Sequence, residues 1–280
     1  MLGDYMKILY VSDLDGTLLN KDTKLTNYTI NELNKLIDDG LMFTYATARS
    51  FNSSKVVSEG LNIKYPVILC NGVKIYDPIK NKTIYSSFFN EKEVELVKRI
   101  SIKYQNFPIC YQTLNDIDKF YYIEYNISCG KQYYLDKRVS DKRLTISPNI
   151  DSLFGNDSIY YFNFIDTYEN LKPIYDELKT HFRCVFQQEI YREEYWLEVL
   201  PNNSDKGHSL RKLKELLNVD KIIYFGDSIN DIEAFKASDK KYAVSNAKEA
   251  LKPYADEIIG SNDSNGVVLK IKEMYKNESF

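Results

Sequence analysis

Two aspartates one residue apart, Asp13 and Asp15, close the apolar run KILYVSDLDG, and the chain turns at once on Gly16. Alternate residues of a strand share a side, so these carboxylates oppose each other unless something neutralises them. A hard divalent cation does so, because magnesium takes oxygen ligands and binds through one or two carboxylates. A second acidic stretch, GDSIND at residues 226–231, follows the apolar run Ile222-Ile223-Tyr224-Phe225 and brings Asp227. Asp13 and Asp227 can supply carboxylate oxygens to magnesium, and Asp15 its backbone carbonyl. The Asp15 side chain is then free for proton transfer. Lys206, in NNSDKGHSL, stands where a helical pattern begins and its charge opposes the helix dipole. A bound phosphate reverses that penalty, since helix N-termini and lysine both favour anions. An ordinary solvated lysine is the plainer alternative.

The elements that must position these groups follow from periodicity. Residues 7–14 read as a buried strand. Ile30, Leu33, Leu36 and Ile37 recur at helical spacing and stop at Gly40. Residues 41–47 and 66–70 are strand-like, the first ending on Thr47 and the second followed by Asn71. Leu210, Leu213, Leu216 and Leu217 then form a helical face. Residues 221–225 read as a strand, 229–237 as a helix and 242–245 as a short strand. Strands alternating with helices imply a parallel sheet with helical crossovers, a Rossmann-like α/β core. In such sheets ligands bind outside the carboxyl ends of the strands. Asp13, Asp15, Thr47, Asn71 and Asp227 all fall there. Each type alone is a common cap or turn former; the set at successive strand ends points to a site.

The middle of the chain differs. A helical stretch near Val94 to Ile100 precedes the aromatic runs KFYYIEY and IYYFNF, a second helix covers 171–182, and RCVFQQEI and YWLEVL follow as strands. This pattern predicts an antiparallel sheet with helices on one side. The chain therefore divides into a discontinuous core, 1–84 and 199–280, and an inserted α+β unit, 85–198.

Composition narrows the function. With 280 residues and 44% apolar content the chain can bury a substantial core. Its 37 basic and 40 acidic residues give a formal net charge of -3, so no global field draws it to nucleic acid or an anionic membrane. Cys70, Cys110, Cys129 and Cys184 lack metal-binding spacing and read as reduced thiols. No apolar run is long enough for a bilayer and no signal-peptide pattern opens the chain, so a soluble, cytoplasmic protein is expected. His181 and His208 read as surface residues. The sequence does not indicate an oligomeric state.

Taken in order, these motifs resemble the haloacid dehalogenase superfamily in its Cof-type branch of phosphatases. DLDGTLL (13–19), ATAR (46–49), DKG (205–207) and GDSIND (226–231) resemble its four motifs, and CNG (70–72), SNAKEALKPYAD (245–256) and SNGV (264–267) resemble further features of the branch. The resemblance implies that Asp13 attacks phosphorus to form an aspartyl phosphate, and that Asp15 protonates the leaving oxygen and later deprotonates water. It places magnesium between Asp13, the Asp15 carbonyl, Asp227 and a phosphate oxygen. Thr47, the amide of Ala48, Lys206 and Asn230 would hold the other phosphate oxygens, with Asp231 orienting Lys206 or a metal-bound water. Two positions depart from the family: Ala48 and Ser245 stand where glycine is usual. Arg49 matches and is read as a structural ion-pair partner.

The inserted unit would be a cap that excludes water and selects the leaving group. Tyr121, Tyr122, Tyr125, Tyr133 and Tyr134 crowd there and read as sheet core rather than a ring-stacking surface. The expected substrate is a small phosphorylated metabolite, a sugar phosphate before others. A phosphotransferase or mutase that hands the phosphoryl group to a sugar is the alternative within enzymes. A low-turnover binding or regulatory protein on the same fold is the alternative outside them.

Overall fold

A computed structural model describes residues 6–114, 117–155, 158–188 and 193–278. The chain forms two compact units, one holding the chain up to Ser86 and from Ser204 onward, the other Ser87–Asn203.

The first unit opens with β1 (Ile8–Ser12), α1 (Asn27–Asp38), β2 (Met42–Tyr45), α2 (Phe51–Val57), β3 (Val67–Leu69), β4 (Lys74–Asp77) and β5 (Lys82–Ser86). The inserted unit runs through α3 (Glu91–Tyr104), β6 (Ile109–Leu114), β7 (Ile117–Tyr122), α4 (Cys129–Asp136), β8 (Leu144–Ile146), α5 (Ile150–Phe154), β9 (Ile159–Asp166), α6 (Tyr168–Leu178), β10 (Arg183–Gln188) and β11 (Tyr195–Leu200). The first unit resumes with α7 (Lys206–Leu217), β12 (Lys221–Gly226), α8 (Ile232–Lys236), β13 (Lys240–Val244), β14 (Glu257–Ile259) and α9 (Gly266–Glu278).

The core sheet has the order β14-β13-β12-β1-β2, and every pairing in it is parallel. Its central strands are nearly continuous apolar runs because both faces are covered. Helix α1 packs with α9 and α7 with α8, and Leu33, Ile271, Leu213 and Phe235 from these four helices share one apolar core with Leu9, Phe43 and Ile222. Local chemistry sets the helix ends. The Thr26 hydroxyl accepts from the Thr29 amide at the start of α1, and Gly40 ends it at φ 108°. At α7 the Asp205 carboxylate accepts from the His208 amide at 2.7 Å.

Two expectations for this unit change. Among the described residues the strand read at 66–70 joins the ladder of the parallel sheet by one isolated bridge, Ala46 to Ile68, and pairs antiparallel with β4 in a three-stranded sheet β3-β4-β5. Cys70, Asn71 and Gly72 all take positive φ, and this left-handed turn sends the chain straight back as β4 in place of a helical crossover. The helix read at 229–237 splits into a short turn, Ile229–Asp231, and α8. Its start is interrupted because the Asp231 carboxylate folds back onto the amides of Asp227 and Ser228.

In the inserted unit the sheet order is β10-β11-β9-β6-β7-β8, antiparallel except for the parallel pair β7 and β8. Phe162 and Phe164 of β9 face a core shared with α3 and α6, through Val97 and Ile174. The alternate residue Ile165 faces a second cluster with Phe120, Tyr134 and Leu135. Helices therefore cover both faces, not one: α4 supplies Tyr134 and Leu135 to the second. The tyrosines divide accordingly. Tyr134 is buried and bonded to the Tyr111 hydroxyl, Tyr121 and Tyr122 are half-buried, and Tyr125 and Tyr133 are exposed.

Candidate active site

The ends of β1 and β12 are tied together: the Asp13 amide donates to the Phe225 carbonyl at 2.9 Å. Beyond them the chain must turn tightly. Gly16 takes φ 78°, and a Cβ on it would lie 2.5 Å from Asp227 Oδ2, so only glycine lets this loop approach the aspartate. Thr17 then donates its hydroxyl to Asp227 Oδ1 at 3.0 Å. At the facing helix, a Cβ on Gly72 would fall 2.2 Å from the Asp205 carbonyl, so the left-handed turn packs directly against the start of α7.

This packing buries Lys206 completely, and it is not the solvated lysine of the plainer reading. Its Nζ donates to Asp13 Oδ1 and to Asp231 Oδ1, each at 2.7 Å. Burial works against a charge on Lys206, but the two carboxylates more than offset it and carry its pKa above the ordinary value. Burial is also the first cause at Asp13, and with the like charges of Asp231 and Asp227 it holds the Asp13 carboxyl well above the usual range against the pull of Lys206. Asp227 is raised as well, by burial first and then by Asp231.

Asp13, Asp227 and Asp231 bring carboxylate oxygens within 4.8 Å of one another. Three carboxylates face one ammonium, and this excess of buried negative charge calls for a bound proton or a cation. Asp231 has little left to offer: its Oδ1 accepts from Lys206 and from Tyr224 Oη at 2.8 Å, and its Oδ2 from the amides of Asp227 and Ser228 at 3.0 and 3.1 Å. Asp13 and Asp227 are therefore the pair with oxygens to give. An all-oxygen donor set of this kind suits a hard cation such as magnesium.

The other residues singled out in the sequence lie as follows. Thr47 is fully buried, and its Oγ1 accepts from the Arg49 amide at 3.1 Å. Ala48 is exposed and does not adopt positive φ, so its replacement of glycine carries no backbone strain. Asn230 donates from Nδ2 to Asn71 Oδ1 at 2.9 Å, while its Oδ1 is buried without a partner among the described residues. Asp15 pairs through both carboxylate oxygens with Arg49. Ser245 is exposed, and its neighbour Asn246 donates to the Gly16 carbonyl at 2.8 Å and fixes the first loop. His208 is half-buried, with Nε2 3.0 Å from Tyr85 Oη, not the surface residue expected.

Sequence reasoning passed over Thr17, Tyr224 and Asn246. Tyr224 reads only as one more apolar residue of a strand, and nothing in its spacing marks the hydroxyl that reaches Asp231. Asn246 stood in a matched motif, but its target is a backbone atom 230 residues away.

Comparison with known proteins agrees with this architecture. Residues 10–271 match the family model for haloacid dehalogenase-like hydrolases. The chain is 24% and 26% identical to two Bacillus subtilis proteins, the 5-amino-6-(5-phospho-D-ribitylamino)uracil phosphatases YitU and YwtE, covering 95% and 94% of this chain and 97% and 96% of theirs. Among solved structures, TM0651 from Thermotoga maritima superposes with a TM-score of 0.74 at 25% identity, over 96% of this chain and 97% of that one. The chain belongs to the haloacid dehalogenase-like hydrolases, and within them it is a phosphatase.

Proposed function

We propose that the chain is a magnesium-dependent phosphatase that hydrolyses small phosphorylated metabolites through an aspartyl phosphate on Asp13. The observation that carries this reading is Asp13 itself: it follows directly on a central parallel strand, one oxygen is held by a buried lysine, and its carboxylate lies within 4.8 Å of that of Asp227.

In the first half-reaction an Asp13 oxygen bonds to phosphorus as the bond to the leaving oxygen breaks, and Asp15 gives that oxygen a proton. In the second, Asp15 takes a proton from water, the water oxygen bonds to phosphorus, and the bond to Asp13 breaks, releasing phosphate. Lys206 keeps one Asp13 oxygen engaged, orients the other toward phosphorus and stabilises charge on the transferring group, together with Thr47, the Ala48 amide and Asn230. Asp231 fixes Lys206 through their 2.7 Å contact. Asp13, the Asp15 carbonyl and Asp227 would hold magnesium, which neutralises phosphate charge when bound.

Sugar phosphates are the substrate class proposed, and the inserted unit is proposed to select among them. The ribityl phosphate named for the two Bacillus relatives is close in chemistry, a phosphate ester of a polyol chain. The test is phosphate release from a panel of sugar, polyol and nucleoside phosphates, with magnesium and with EDTA. Asp13→Asn is expected to lose activity by about 10⁴-fold or more, as for other covalent nucleophiles. Full activity in that variant, or in EDTA, would overturn the reading. Organic phosphate conserved while one sugar phosphate becomes another would favour the mutase.

A further inference from the structure

Arg49 holds Asp15 with both arms of its guanidinium. Nε donates to Asp15 Oδ2 at 2.7 Å and Nη2 to Oδ1 at 2.5 Å, while Nη1 reaches Ser53 Oγ at 3.1 Å. The fork fixes the plane and direction of the carboxyl, which a single bond to a lysine could not do.

A purely structural purpose accounts poorly for this grip. The two side chains keep 24% and 41% of their surface in solvent, and a pair so open adds under about 1 kcal/mol to stability. The loop does not need it either, because the backbone of Arg49 is pinned on its own: its amide donates to Thr47 Oγ1 at 3.1 Å and its carbonyl accepts from the Cys70 amide at 3.0 Å. The fork is additional to those anchors, and its target is the carboxyl that stands one residue from a buried cluster of acids.

We infer that Arg49 is a positioning residue, whose bidentate contact aims the Asp15 carboxyl along the path of the leaving oxygen. The inference rests on the phosphatase reading above, in which Asp15 moves the proton. An alkoxide leaves poorly without that proton, whereas p-nitrophenolate leaves without it, so loss of aim falls on one ester and spares the other.

The experiment compares kcat/KM of wild type, Arg49→Lys and Arg49→Ala on an alkyl phosphate taken from the panel and on p-nitrophenyl phosphate. Arg49→Ala is expected to lose about tenfold or more on the alkyl ester and less than about threefold on the aryl ester, with Arg49→Lys between, since it keeps the charge and loses the fork. In an Asp15→Ala background the Arg49→Ala change should add nothing further. Arg49→Lys carries the test if Arg49→Ala does not fold. Equal losses on the two esters, or a full effect of Arg49→Ala without Asp15, would overturn the inference while leaving the phosphatase reading intact. No phosphate release by wild type would overturn both.

Discussion

Lys206 in the core unit and Lys131 in the inserted unit are both buried in the first turn of a helix, where the dipole opposes a cation. Their surroundings treat them in opposite ways. Lys206 meets two carboxylates at 2.7 Å and is held charged. Lys131 donates to one neutral acceptor, the Phe107 carbonyl, at 2.7 Å. The charge of Asp166 reaches it, but that carboxylate is already engaged by Asn106, the Thr167 amide and Asn170. Burial therefore dominates and lowers the Lys131 pKa to about 8. The same side chain is a fixed charge in one unit and a cation that gives up its proton from about pH 8 in the other. The difference lies in how many acids the fold brings to it, and it is the unit with the candidate active site that concentrates them.

The comparison is broken most directly by removing each ammonium. Lys206→Met strands Asp13 and Asp231 in a buried site, and loss of one partner of such a cluster costs about 3–5 kcal/mol. Its urea midpoint in EDTA should fall accordingly, and phosphatase activity should drop by at least about 10²-fold. An unchanged midpoint would mean that the carboxylates take up protons instead.

Lys131→Met should behave oppositely. The folded pKa of about 8 lies below the ordinary value of 10.5, so between these two the unfolded chain binds more protons and stability rises with pH. Below pH 8 both states are protonated and the folded chain bears the whole penalty, about 3 kcal/mol from a difference of about 2.5 in pKa, partly offset by the bond to Phe107. The variant should match or exceed wild type at pH 7, and its advantage should shrink toward pH 10. Melting curves of the two proteins across that range give the difference directly. A constant gap would show that Lys131 does not titrate there.

The acids at the strand ends were legible in the sequence because an apolar run makes the strand and the polar residue marks its end. Asp13 and Asp227 each follow such a run, and the strands that carry them, β1 and β12, pair side by side. The burial of Lys206 was not legible. A lysine after an N-cap aspartate reads alike in solvent and in a core, and its partners stand 193 and 25 residues away. Helix α4 escaped for a different reason: in CGKQYYLD three adjacent large apolar residues, Tyr133, Tyr134 and Leu135, blur the helical period. Without α4 the second face of the inserted sheet looked bare. The β4-β5 hairpin was hidden behind Cys70 and Asn71, since positive φ at a non-glycine residue leaves little trace in composition.

The smallest expected effect probes what holds the acids around Lys206. Tyr224 donates to the same Asp231 oxygen as Lys206 does, and its hydroxyl is locked neutral: burial first, then the charges of Asp231 and Asp13, push its pKa well above the ordinary value. Tyr224→Phe keeps the ring against Phe235 and removes only that donor. The expected loss is about 1 kcal/mol in stability, with activity reduced only severalfold. In a Lys206→Met background the hydroxyl is the side-chain donor left to that oxygen among the described residues, so the same change should cost more there than in wild type. Equal costs in the two backgrounds would mean that Asp231 is held by the amides of Asp227 and Ser228 alone. The lysine would then be a cation placed among acids that the backbone has already arranged.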